Sequence, residues 1–154
     1  KIKDYSYNTN KEKVETDEQL REYLISNISR QLDFVVSVQD VALQSQMLMI
    51  WGDLDRLIGA LRDARLVIKE TDYKGTTFFI SSKTFENDEL LVYDFQTIEL
   101  LKKQDKKLEE FNESVESAIL GDTSKHVSEI LGHVYDFTGA WNERISKIRE
   151  FKAF

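Results

Sequence analysis

The sequence predicts an all-α fold, an antiparallel bundle of three long or four medium helices with a small β-hairpin insertion at about residues 76–93. Three observations point there. Proline, the commonest helix breaker, is absent from the 154 residues. Apolar residues recur at steps of three and four over most of the chain, and one β-branched, aromatic stretch interrupts that pattern midway.

Taken in order, residues 1–16 (KIKDYSYNTNKEKVET) are polar and aperiodic and read as a tail or linker, leaving 17–154 as a single helical-bundle domain. Thr16 or Asp17 can cap a helix whose apolar line runs through Ile28, Leu32, Val36, Leu43, Met47, Ile50, Leu54, Leu57, Leu61, Ala64 and Ile68. Residues 17–70 are then either one helix of ~80 Å at ~1.5 Å per residue or two. The spacing of S-V-Q-D at 37–40, a weak capping box, and ordinary helix lengths favour a break or bend there. Gly75 marks the end of the helical region, T-T-F-F-I has strand-forming residues, and E-N-D-E before L-L-V-Y is a turn signal, hence the hairpin. Helical spacing returns at Phe95, Ile98, Leu101, Leu108, Phe111, Val115 and Ile119, with Gly121 placed to end that helix. Asp122, Thr123 or Ser124 can cap the last one, striped by Val127, Leu131, Val134, Thr138, Trp141, Ile145 and Ile148.

A net charge of -7 and a pI near 4.9 argue against nucleic acid as a partner. No cysteine is present, which removes disulfides and thiol chemistry without fixing a compartment. No stretch has the length and apolarity of a membrane span. The chain begins at Lys1 rather than Met, and is expected to be a processed or excised piece.

The glycines raise a question of their own. Gly52 and Gly59 stand seven apart on one side of a helix, opposite its main apolar line, together with Phe34, Val41, Leu48 and Leu66. Gly132 and Gly139 repeat the spacing on the last helix. An interior glycine costs a helix about 1 kcal/mol against alanine. The arrangement therefore reads either as a second packing face, where another backbone approaches, or as tolerated drift. The aromatics of the 76–93 region, Phe78, Phe79, Phe85 and Tyr93, read either as a cap closing one end of the core or as a docking hairpin for a partner.

Candidate chemistry is thin. His126, Glu129, His133 and Asp136 share one side of the last helix and could in principle ligate a transition metal, but the E-x-x-H and H-E-x-x-H patterns are missing and a hydrated face explains them more simply. Arg56, Arg62 and Arg65 lie among Asp53, Asp55 and Asp63 at pairing distances along a helix, which reads as ion pairing before it reads as an anion pocket. The charge run 102–116 reads as a solvated helix face. Phosphate-loop, nucleophile-elbow and dinucleotide motifs are absent, and no cofactor is expected.

The leading functional expectation is a non-catalytic interaction or scaffold domain that binds another protein or a second copy of itself through helical faces. The alternative is an extracytoplasmic ligand-sensing bundle of a membrane receptor, which in plan resembles bacterial helical sensor ectodomains. A four-helix count puts both termini at one end, as two membrane connections require, and a three-helix count does not. A metal-dependent enzyme is the third class.

Overall fold

A computed structural model describes residues 5–44, 48–81, 89–116 and 120–151, without the side chains of 114–116 and 120–123. Four helices account for most of them: α1 (Asn10–Gln44), α2 (Leu48–Glu70), α3 (Glu89–Glu116) and α4 (Leu120–Ile148). α1 packs beside α2 and, sparsely, α3; α4 packs beside α3 and α2. Cross-helix bonds fix the directions. Between α1 and α2, Gln39 reaches Asp55, Arg65 reaches Ser29 and Arg21 reaches the carbonyl of Ile68, one number falling as the other rises, so the pair is antiparallel. Lys147–Glu89 and Lys107–Glu129 show the same for α3 and α4. Arg30–Asp105 and Tyr7–Asp94 run in step, so α1 and α3 are parallel. The result is an up-down-up-down four-helix bundle with both ends of the described chain at the same end.

α1 starts earlier than the sequence suggests. Thr9 caps it, its hydroxyl accepting from the Glu12 amide while the Glu12 carboxylate accepts from the Thr9 amide, a reciprocal capping box. Residues 10–16, expected as tail, are its first turns, and Tyr7 just before them is only 6% exposed. The tail reading fails because the buried groups here are polar or amphipathic: Lys13, Thr16 and Asp17 are in the core. The break expected near 37–40 falls later, since α1 continues to Gln44 and α2 opens at Leu48. Gly121, expected to end α3, lies in the first turn of α4.

The expected β-hairpin is not seen among the described residues. Among the described residues there is no strand; residues 89–93 are the first turns of α3, and 71–81 form a turn-rich connection in which Gly75 takes φ 83°. The turn signal at 82–88, with Phe85, lies outside the described residues. Strand-forming residues need a partner strand, and here they meet the end of the bundle instead. Phe78 is fully buried among Tyr7, Leu90 and Ile148, edge-on to Phe79 and Phe151.

The core itself is a layered stack. α2 contributes Ile50, Leu54, Leu57, Leu61, Ala64 and Ile68, the line read from its sequence. α1 buries Val35, Val38 and Ala42 where Val36 and Leu43 were expected, and α4 buries Ile130 and Phe137 in place of Leu131 and Thr138. α3 buries Leu90, Asp94, Thr97, Leu101, Gln104, Leu108 and Phe111, a heptad line in which three members are polar.

Candidate functional site

The polar members of the core converge at the end where the chain starts and finishes. Arg144 of α4 and Asp94 of α3 are both 0% exposed and form an ion pair. The Arg144 guanidinium also reaches Asp17 of α1 at 2.8 Å, and donates to the hydroxyls of Tyr7 (2.8 Å) and Tyr73 (3.0 Å) while lying over the Trp141 ring. Asp94 accepts further hydrogen bonds from Tyr5 and Tyr7, and Asp17 accepts from Tyr73 and Arg21. Arg21 in turn donates to the carbonyls of Ile68 and Thr71, satisfying the C-terminal end of α2. Two arginines thus face two carboxylates, so the buried charge balances locally.

Protonation follows from this geometry. Burial works against charge on Arg144, yet Asp94, with Tyr7, Tyr73 and Asp17, holds the guanidinium well above its usual value. Burial, reinforced by Asp94, keeps Tyr5 protonated far beyond the ordinary phenol range, and burial does the same for Tyr7 although Arg144 opposes it. Tyr73 is pushed up to about 12, by burial first, with Arg144 opposing and Asp17 adding. Nearby, the buried Lys13 ammonium donates to the carbonyls of Phe78 (2.8 Å) and Ser81 (2.9 Å), pinning the 71–81 connection onto α1. Thr77 N–H donates to the carbonyl of Phe151, and Thr76 to that of Ile148, tying the same connection to the end of α4. The donors and acceptors of this clasp are used within it, and its centre is closed to solvent. Its geometry suits a joint that fixes the segment before α1, α1, the 71–81 connection, α3 and α4 together.

The opposite end, where α1 turns into α2, is built differently. Val41, Leu43, Leu48, Met49 and Trp51 are exposed, Leu48 at 68% and Met49 at 85%. Of the residues expected to share an interaction face, Val41, Leu48 and Leu66 are exposed, and Gly132 and Gly139 lie on the surface of α4. Gly52 and Gly59 are partly exposed. No atom of a neighbouring element lies within 4 Å of where a Cβ would stand on any of these four glycines, so no backbone of this chain makes the close approach they would permit. Phe34 is separate from them, lining the α1–α3 seam. Gly139 and Tyr93 line one shallow depression between α3 and α4.

His126, Glu129 and His133 are half-buried along α4 and Asp136 is exposed, but Glu129 is engaged by Lys107 at 3.3 Å, which lowers its pKa. Among the described residues no group of three His, Cys, Asp or Glu side chains converges as metal ligands would. Arg56 pairs with Asp53 along α2, and Arg65 donates to Ser29 of α1. Among the described residues no helix is long and apolar enough to cross a membrane.

Sequence reasoning missed the clasp. Tyr7, Asp17, Tyr73, Asp94 and Arg144 are spread over most of the chain, and each stands one or two turns from residues that looked equally polar. The one available signal was the heptad spacing of Leu90, Asp94, Thr97, Leu101 and Gln104, read with polar residues allowed on the line. No protein-family model, curated protein or solved structure matches this chain.

Proposed function

We propose that this chain is a non-catalytic interaction module, a stiff four-helix bundle that presents apolar side chains to another protein or to a second copy of itself. The observation that carries the reading is the contrast in exposure between its two ends: Leu48 and Met49 face solvent at the α1–α2 turn, whereas the charged groups are folded inward at the other. Exposed apolar clusters on a bundle are tolerated best where a partner covers them. The test is the solution mass of Leu48→Asp with Met49→Asp against the parent, by size-exclusion chromatography with light scattering over a range of concentrations. The reading expects the parent to associate and the variant to stay monomeric with an unchanged melting temperature. Equal association of the two proteins, or a parent that neither self-associates nor captures a partner, counts against it.

A ligand-sensing bundle of a membrane receptor is the second reading. It is favoured by the meeting of the first described residues, Tyr5–Tyr7, with the last turn of α4 around Phe78, which puts both exits side by side. A small ligand would then raise the melting temperature by mass action, and a flat response to a broad metabolite panel would argue against it.

A further inference from the structure

We propose that the seam between α1 and α3 is a docking groove for a basic amphipathic helix supplied by a partner protein. The inference rests on the interaction-module reading and gives that module a second surface and a partner chemistry. In a closed four-helix bundle each helix packs tightly on two neighbours. Here α1 and α3 touch far more sparsely than the other adjacent pairs, and the contacts that span the middle of the seam are polar: Arg30 and Gln31 to Asp105, and Gln104 to Gln31.

Two depressions, of about 600 and 410 Å³, follow one another along the seam. The first is floored by Tyr5, Tyr23, Phe95 and Ile98, the second by Phe34 and Leu108. Together they extend from Leu91 to Glu113 of α3, about 33 Å at ~1.5 Å per residue. That is a trough for a helix of several turns rather than a pocket for a small molecule.

Charge selects the occupant. On the rim, Arg30 is held by Asp105 and Lys102 by Glu99, while Glu109 and Glu113 have no ion pair among the described residues. The groove therefore offers an apolar floor beside unneutralised carboxylates, complementary to a helix with leucine-like residues on one face and lysine or arginine beside it. A second observation falls at the same place. Gln104 is fully buried directly behind Gln31, and its side-chain carbonyl oxygen has no hydrogen-bond partner. The middle of the seam is thus incompletely satisfied by this chain alone.

The experiment uses a fluorescein-labelled peptide of about 18 residues, roughly five helical turns, made of leucine and lysine in amphipathic order, with a scrambled peptide of equal composition as control. Anisotropy should show the ordered peptide binding, and hydrogen exchange should slow in residues 23–34 and 95–113. Glu109→Lys with Glu113→Lys, both exposed positions, should weaken binding about tenfold. Asp63→Lys with Glu70→Lys, which changes net charge equally on α2, should leave it unchanged, as should Leu48→Asp with Met49→Asp. Phe95→Ala, at a 56% exposed position, should weaken binding with no loss of helicity. Equal binding of the scrambled peptide, equal weakening by both charge reversals, or protection centred on the α1–α2 turn overturns the proposal. So does a parent dimer that the groove reversal dissociates, since the occupant would then be a second copy. Loss of association in the α1–α2 variant with retained peptide binding separates the two surfaces.

Discussion

The two ends of this bundle solve the same problem, closing a helical core, by opposite means. At the termini end the closure is polar: Arg144, Asp94, Asp17 and three tyrosines are drawn inside and bonded to one another, and Phe78 sits beneath them as a plug. At the α1–α2 end apolar side chains are left outside, with Val41, Leu48 and Met49 in solvent. The difference shows that burial and polarity are decided by what a residue can bond with, not by its type alone. A charge inside with every bond made can be tolerated, and an apolar group outside is the feature that asks for an explanation.

The strongest way to break the comparison is to remove the centre of the polar end. Arg144→Leu strands the buried Asp94 carboxylate and leaves Asp17 paired with Arg21 alone, and urea denaturation should show a loss of about 3–5 kcal/mol. Met49→Ala, at the other end, should stay within about 0.5 kcal/mol of the parent. A similar small effect at both positions would mean the clasp contributes specificity rather than stability.

The pH response sharpens the same contrast. Folding raises the pKa of Tyr5, Tyr7 and Tyr73, so the contribution of their protonated forms is complete below the unfolded phenol value near 10. It declines as pH climbs beyond that, and the Tyr73 part is lost as pH passes about 12. For Tyr73 the full loss is on the order of 3 kcal/mol, read as a falling melting temperature from pH 10 upward. Tyr73→Phe should flatten that slope. A parent whose stability is level from pH 9 to 11.5 would show that these phenols are not held as their environment implies.

The smallest effects belong to the glycines. Each of Gly52, Gly59, Gly132 and Gly139 has open space where a methyl would stand, so each change to alanine should raise stability by about 0.5–1 kcal/mol through helix propensity. Any one that lowers association while raising stability identifies a surface where a partner's backbone comes close.

The helices of this protein were legible where they are apolar, but not always the face they bury: α1 buries Val35, Val38 and Ala42, and α4 Ile130 and Phe137, off the expected lines. In α2 the line Ile50, Leu54, Leu57, Leu61, Ala64 and Ile68 is buried as its spacing predicts, with Ile58 buried beside it and not anticipated. The start of α1 and the first turns of α3 were not legible, because their buried lines run through Lys13, Asp17, Asp94 and Thr97, residues that a hydrophobicity pattern sends to the surface. The stretch T-T-F-F-I has the composition of a strand, but among the described residues it has no partner strand and its Phe78 fills the bundle end instead. The exposure of Leu48 and Leu66 follows from their phase opposite the α2 core line, while Val41 is exposed on α1. Phe34 belongs instead to the α1–α3 groove, which depends on how loosely two helices meet whose facing residues stand 73–75 apart in sequence, and no local pattern encodes that.

The clasp also sets an order of events during synthesis. The α1–α2 hairpin has its own contiguous core and can form once residue 70 has left the ribosome, with Asp17 held meanwhile by neighbouring Arg21. Asp94 joins later, and Arg144, which bonds to both carboxylates, later still. A nascent chain stopped before Arg144 carries Asp94 without the cation that its burial needs, so that end is not closed until α4 has been made. The guanidinium thereby makes the closing of this end depend on the fourth helix as well as on the earlier segments it bonds.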